Sequence, residues 1–299
     1  MFFQKTLTKI LKNDRSMKAL TGLSVLEFKN LVISFDRALR EFKNNKKRLR
    51  GVGAGRKGAL RTIELKLFFI LCYIKVYPTF DLGGILFGVD RSKVCLWVQR
   101  YLPVLEMTLG RVVVLPVRKI HSPEEFLNRY GTYLIDGFER PTVRPKKNQK
   151  KSYSGKKKKH TRKNILITDT KGLVVALSPS KCGSVHDFTQ LKKSFLSDLK
   201  QGEFYVDKGF TGIKKYTNAT IHIPLKKTKK KPLSEEDKIN NYLINSIRMK
   251  IEHSIGGIKR YNCVQQIYRN KKGLDDKFVL IASCLWNYHL THQETPSKK

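Results

Sequence analysis

The chain has 299 residues, enough for one large domain or two modest ones at roughly 100 to 200 residues each. A hydrophobic content of 40% with 10% aromatics excludes a disordered chain, and 61 Lys and Arg against 24 Asp and Glu give a formal charge of +37 that calls for a polyanionic partner. Nucleic acid fits, because each cation set against a phosphate releases a condensed counterion; a membrane is set aside, because the best apolar run, residues 65–76, is short and carries Lys66 and Lys75.

At the start, residues 1–12 alternate apolar with polar side chains and lack the uninterrupted apolar stretch of a secretory signal. Ser24 and Glu27 form a capping box ahead of a helix over residues 25–42, with Val25, Phe28, Val32, Phe35 and Leu39 on one face. Residues 43–58 are rich in Lys, Arg, Asn and Gly without apolar periodicity, the composition of a flexible basic linker able to lie along DNA. From Thr62 a stripe of Leu65, Phe68, Phe69, Cys72, Tyr73 and Val76 predicts a second helix, which Pro78 ends. A shorter helix over 79–86, the turn at 87–90 and a helix from Arg91 or Ser92 to Tyr101 complete a helix-turn-helix pattern over about 62–101. That pattern sets Arg91, Ser92 and Lys93, with Gln99 further along, against a major groove; the alternative is an ordinary helical bundle.

After Pro116 the texture changes to short β-type runs at 133–135, 164–168, 173–178, 203–206 and 220–223, with helical stretches at 187–199, 235–259 and 275–289. This is the α/β order of a ribonuclease H-like core, so the expected organisation is an all-α helix-turn-helix domain over 1–115 and a catalytic core over 116–299. The five cysteines stand singly, with no spacing that builds a zinc site, and read as buried thiols.

Three acids stand out in so basic a chain. Asp136 ends an apolar run, Asp207 ends another, and Glu252 lies within the helix predicted over 235–259. Carboxylate oxygens suit hard divalent cations, fixed aspartates on neighbouring strands supply rigid ligands, and a longer Glu reaches in from a helix. Each acid has a plainer reading: Asp136-Gly137 is a hairpin signal, Asp207-Lys208-Gly209 a turn, and Glu252 a helix-surface partner for Arg248.

The stretch Leu134-Ile135-Asp136-Gly137, with Glu139-Arg140-Pro141, Arg144-Pro145, Tyr153-Ser154-Gly155-Lys156-Lys157-Lys158 and His160-Thr161, resembles the core of DDE transposases of insertion-sequence family five, whose superfamily includes the Harbinger-type nucleases. Gly183-Ser184 with His186-Asp187, Asp207-Lys208-Gly209-Phe210 with Gly212, Pro224 with Lys226-Lys227, and Arg248, Glu252-His253, Ile255-Gly256, Ile258-Lys259-Arg260 and Tyr268-Arg269-Asn270 follow in order, so the likeness covers residues 133–287. Phe138 stands where the family often has Thr, and Tyr242 where Arg is common. The resemblance implies that Asp136, Asp207 and Glu252 are the catalytic and metal-binding triad for two Mg2+ ions, with Mn2+ able to substitute. It makes His186 and Asp187 an accessory pair, although Ser184 to Asp187 also reads as a capping box. Lys259, two helical turns beyond Glu252, grips phosphates with Arg248, while Lys156, Lys157, Lys158 and the run 226–231 act as backbone clamps.

The implied function is a bacterial transposase, cytoplasmic and associated with the nucleoid, that binds the terminal inverted repeats of its element on double-stranded DNA, cuts a strand and transfers it. A homodimer or higher assembly follows from the need to hold two element ends. The interval from Asp207 to Glu252 leaves no room for a large insertion domain. The alternatives are a DDE-type endonuclease without strand transfer and an inactive transposase-derived DNA-binding protein.

Overall fold

The computed structural model describes residues 7–44, 58–113, 115–120, 131–227, 232–270 and 273–293. Most of the expected basic linker, residues 45–57, and the end of the second lysine run, residues 228–231, lie outside them. The chain divides into two compact units, one of Met1–Val114 with Arg260–Cys263 and Asn287–Lys299, the other of Leu115–Lys259 with Val264–Trp286. A single boundary after residue 115 does not describe this division, because two C-terminal pieces count with the first unit.

In the first unit, local capping chemistry sets where helices begin. The Ser24–Glu27 box forms as expected, with Ser24 N donating to Glu27 Oε2 at 2.5 Å and Glu27 N to Ser24 Oγ at 3.2 Å. It opens α2 (Val25–Asn44), which follows α1 (Asp14–Thr21). Thr62, Thr79 and Asp90 cap α3 (Ile63–Val76), α4 (Phe80–Phe87) and α5 (Arg91–Val112) by accepting from Leu65 N, Leu82 N and Ser92 N. Helix α5 runs a further eleven residues past the expected end at Tyr101, through Pro103. Burial overrides the proline, because Leu102, Val104, Leu105, Thr108 and Leu109 continue the inward face that packs on α2, α3 and α4. Phe69 of α3 meets Phe87 and Trp97 edge-on at 5.0 and 5.2 Å between centroids, which locks α4 and α5 together. Cys72, Cys263 and Cys284 are buried as expected, and burial pushes the Cys72 thiol up to about 12; Cys95 and Cys182 are only half-buried.

The second unit is built on a sheet of seven strands. These are β1 (Thr132–Pro141), β2 (Tyr153–Ser154), β3 (Lys159–Asp169), β4 (Val174–Leu177), β5 (Lys181–Cys182), β6 (Glu203–Val206) and β7 (Thr220–His222). The order is β2-β3-β1-β6-β7, with β4 and β5 also on β3. Strand β1 is antiparallel to β3, with Ile135 opposite Ile167, and parallel to β6, with Ile135 opposite Val206; β6 and β7 are parallel. Asp136-Gly137 makes no hairpin. Strand β1 runs straight through it to Pro141, because every residue from Tyr133 to Pro141 finds a partner on β3.

Alternation along the strands gives the sheet two different faces. Tyr133, Ile135, Ile165, Ile167, Phe204 and Val206 form a core with Leu191 and Phe195, which belong to and follow α7 (Asp187–Ser194). The other face carries Leu134 and Asp136 and is covered by α8 (Glu235–Lys259), with Ile244, Arg248 and Ile251 inward. A one-turn helix, α6 (Gln149–Ser152), precedes β2, and α9 (Asn262–Gln265) and α10 (Asp275–Gln293) close the chain order. Gly257 lets Trp286 lie against α8, since a methyl group there would come within 2.2 Å of the indole. Ser254 Oγ and Trp286 Nε1 both donate to Gly172 O in the β3–β4 turn, which fixes α8 against the sheet.

Motif residue Arg140 serves this frame. Nearly fully buried, it donates to Asn164 Oδ1 at 2.7 Å and Ser180 Oγ at 2.8 Å and lies 3.6 Å from the buried Asp275 carboxylate, which Arg162 also meets at 3.1 Å. Removing one member of such a network strands the others in low dielectric. Arg140→Ala is expected to lower the urea stability of the full chain by about 3 to 5 kcal/mol. A loss under about 1 kcal/mol, the worth of an exposed pair, would show that the network is not a stabilising frame.

Candidate active site

Carboxylates gather where the β1–β6 ladder stops. Because the two strands are parallel neighbours with Ile135 opposite Val206, the next residue on each, Asp136 and Asp207, follows directly where their ladder stops. Arg248 of α8 reaches both: Nη2 lies 3.3 Å from Asp136 Oδ2 and Nη1 lies 3.6 Å from Asp207 Oδ1. Only 6% of Arg248 is exposed, so its guanidinium is committed to the two aspartates rather than presented to DNA phosphates.

Glu252 lies one helical turn beyond Arg248 and is exposed. Arg248 turns to the aspartates, so the Glu252–Arg248 surface pair does not form. Lys259, two turns further along α8, feels the negative charges of Asp136 and Glu139. Among the described residues, no three His, Cys, Asp or Glu side chains stand together as a ready metal site. The structure thus joins Asp136 to Asp207 and leaves Glu252 on the adjoining helix face without direct contact to them.

Asp187 enters from the opposite face of the sheet. A methyl group at Gly137 would come within 2.8 Å of Asp187 Oδ1, so the glycine is required for close approach and not for a turn. Asp187 Oδ2 and Asp207 Oδ2 flank Gly209, at 3.7 and 3.8 Å from the position a methyl group there would take. The Ser184–Asp187 capping box does not form. His186 caps α7 instead, accepting from Phe188 N at 3.3 Å through Nδ1, while Ser184 Oγ donates to Lys151 O. His186 therefore has a helix-capping role and Asp187 faces the site.

Burial raises the Asp136 carboxyl to about 6, against the pull of Arg248 and with help from the negative charges of Asp207 and Asp187. Lys156, Lys157, Lys158 and Lys159 are exposed in and beside the tight β2–β3 turn, and the charges of Lys157 and Lys159, after burial, hold the Lys259 ammonium below its usual value. The anionic centre thus has a cationic rim. Sequence reasoning missed Lys163, whose buried ammonium lies 2.8 Å from Asp187 Oδ1 and 3.3 Å from Glu139 Oε1. Its signal was available: a lysine directly opposite Glu139 on an otherwise apolar inward face.

In the helical unit, Arg91 and Lys93 are exposed, Arg91 lying 3.4 Å from Asp81. Ser92 Oγ donates to its cap Asp90, and Gln99, half-buried, donates to Cys95 Sγ. The solvent face of α5 also presents Leu96 and Arg100, which helical position alone did not single out.

The chain matches the family described as DDE superfamily endonuclease over residues 135–287 and the helix-turn-helix of that superfamily over residues 58–110. It belongs to the DDE superfamily endonucleases. It is also 31% identical over 280 residues to a protein of Microchaete diplosiphon named "Probable transposase for insertion sequence element IS702", covering 92% of this chain and 95% of that one. No solved structure matches the chain significantly.

The raised Asp136 carboxyl has a stability consequence. The folded protein holds that proton more tightly than the unfolded chain, so the associated stabilisation is present below pH 3.8 and is lost as pH rises through about 6. Asp136→Asn, which mimics the protonated form, is expected to stabilise the divalent-cation-free protein by up to ~3 kcal/mol at pH 8 and by little near pH 4. Urea unfolding at the two pH values checks this, and a destabilised variant at pH 8 would show that the Arg248 ion pair outweighs burial.

Proposed function

We propose that this chain is a transposase that binds the terminal inverted repeats of an insertion sequence, cuts a strand there and joins the liberated 3′ hydroxyl to target DNA. The observation that carries this reading is the Asp136–Asp207 pair: two carboxylates where the parallel β1–β6 ladder stops, with one guanidinium shared between them from the helix that bears Glu252. The strand order, with β3 antiparallel and β6 and β7 parallel to β1, supports a ribonuclease H-like core. The helix-turn-helix ahead of it supports DNA recognition.

Asp136 and Asp207 fit a hard divalent cation. They are oxygen donors, and burial, with smaller help from the charges of Asp207 and Asp187, raises the Asp136 carboxyl to about 6 despite Arg248, so the ionised pair calls for more positive charge than one guanidinium brings. Asp136, Asp207 and Glu252 would hold Mg2+, with Mn2+ as substitute; two such ions when bound activate the attacking oxygen and stabilise the departing one. The chain's own residues do the rest. The paired strands β1 and β6 orient the carboxylates, Lys259 and the Lys156–Lys158 turn hold flanking phosphates, and Arg91, Ser92, Lys93 and Gln99 sit on the helix that meets the groove, where Leu96 and Arg100 share the exposed face. Two element ends require two such sites, so the working form is a homodimer or higher assembly on double-stranded DNA. No described helix is long and apolar enough to cross a membrane, and the working place is the bacterial nucleoid.

A plasmid carrying the element's ends, incubated with Mg2+ and target DNA, should yield inserted products. Nicked or linear products alone would indicate an endonuclease without strand transfer. Asp136→Asn and Asp207→Asn are expected to reduce cleavage to background while retaining DNA binding, and wild-type cleavage by either would remove the carboxylate mechanism. Binding should weaken about a thousandfold or more between 50 and 200 mM salt when six or more phosphates are neutralised.

A further inference from the structure

We propose that Lys163 is a positioning residue that aims the Asp187 carboxylate at the Asp136–Asp207 pair, making Asp187 a third anionic group in cation binding. The proposal rests on the reading of that pair as a divalent-cation site.

Lys163 stands directly opposite Glu139 in the β1–β3 ladder, on the face that carries Ile165 and Ile167 into the core. Its side chain is 8% exposed, and an ammonium so placed needs all its donors engaged. Three oxygens surround Nζ: Val185 O at 2.8 Å, Asp187 Oδ1 at 2.8 Å and Glu139 Oε1 at 3.3 Å. Glu139 is itself fixed, since its other oxygen accepts from Thr161 Oγ1 at 2.7 Å. The chain Thr161–Glu139–Lys163 is thus a rigid bracket, and Asp187 is its free arm.

Where that arm points is set from two sides. Bare backbone at Gly137 admits Asp187 Oδ1, and Asp187 Oδ2 and Asp207 Oδ2 flank Gly209. Asp187 Oδ1 is held by Lys163 as an ion pair, and Oδ2 is the oxygen that shares Gly209 with Asp207 Oδ2. Asp136 registers the Asp187 charge together with that of Asp207. Asp136, Asp207 and Asp187 carry three negative charges, Arg248 offsets only part of them, and a divalent cation would neutralise the remainder. A partner that orients a charged group in this way typically changes metal affinity 10- to 100-fold when removed.

Mn2+ binding to the full chain without DNA, followed by calorimetry and by the electron paramagnetic resonance of the free ion, tests this directly. Asp187→Asn and Lys163→Met are each expected to weaken Mn2+ binding about tenfold. The double variant should be no weaker than Asp187→Asn alone, because both changes break one interaction. Gly137→Ala, which crowds Asp187 without touching Lys163, should reproduce the loss and keeps the test alive where Lys163→Met does not fold. Wild-type Mn2+ affinity in Asp187→Asn, or additive losses in the double variant, would overturn the proposal. So would a Lys163→Met protein with a lowered melting temperature and unchanged Mn2+ affinity, since that is a purely structural lysine. Asp136→Asn separates the two readings: if it abolishes Mn2+ binding while Asp187→Asn does not weaken it, only the role of Asp187 and Lys163 is lost, whereas wild-type binding by Asp136→Asn removes the cation site itself.

Discussion

Like charges brought together where two parallel strands stop pairing are the constraint on which the second unit turns. Asp136 and Asp207 meet because β1 and β6 are parallel and in register, and the cost of that meeting falls on Arg248. An arginine suits the task, since a planar fork addresses two carboxylates at once while an ammonium addresses them as a point charge. The arrangement in turn demands that α8 hold a fixed rotation. Ser254 and Trp286 both anchored on Gly172, and Gly257 pressed against the indole, supply that restraint well beyond the site itself. The packing of α8 and the electrostatics of the site are one problem solved together.

The motif around Asp136 divides its labour by the pleat of β1. Asp136 and Arg140 face one side and Gly137 and Glu139 the other, as alternation requires. Asp136 meets α8, and Arg140 ties the start of α10 to the sheet. Gly137 gives Asp187 room to approach, and Glu139 braces Lys163. Four residues of one strand therefore reach four different elements, which explains why so short a stretch carries so much of the family resemblance.

What could be read from the sequence was whatever local physics decides. The Ser24–Glu27 box placed one helix start, apolar stripes placed the helices after Thr62 and Thr79 and from Arg91, and the apolar run Phe204-Tyr205-Val206 placed β6. The end of α5 was not legible, because the burial of Leu105 and Leu109 against other helices outweighs Pro103. Neither was the straight passage of β1 through Asp136-Gly137, since a ladder partner on β3 suppresses the turn that the pair otherwise favours. The short strands β2 and β5 carry too few residues for any periodicity. At the site, residue type pointed to Asp136 and Asp207, but Arg248 reads as surface charge until its burial is seen, and Ser184 reads as a cap until Lys151 O takes its hydroxyl.

The contrast between the chain and its site has a further implication. A protein with a formal charge of +37 raises the local density of anions along its whole surface, which draws DNA and repels divalent cations alike. A cation site in such a field must supply its own negative potential, and a single aspartate pair neutralised by one arginine supplies little. Asp187 changes that balance. Lys163 cancels part of its charge, yet Glu139 already shares Lys163, so the group as a whole remains anionic where it faces Asp136 and Asp207. The charges of Lys157 and Lys159 act on Lys259, which also feels Asp136, so positive and negative groups lie close together here. On the proposed function, separating the two potentials over a few side chains would let one surface bind a polyanion while its centre stays suited to cations.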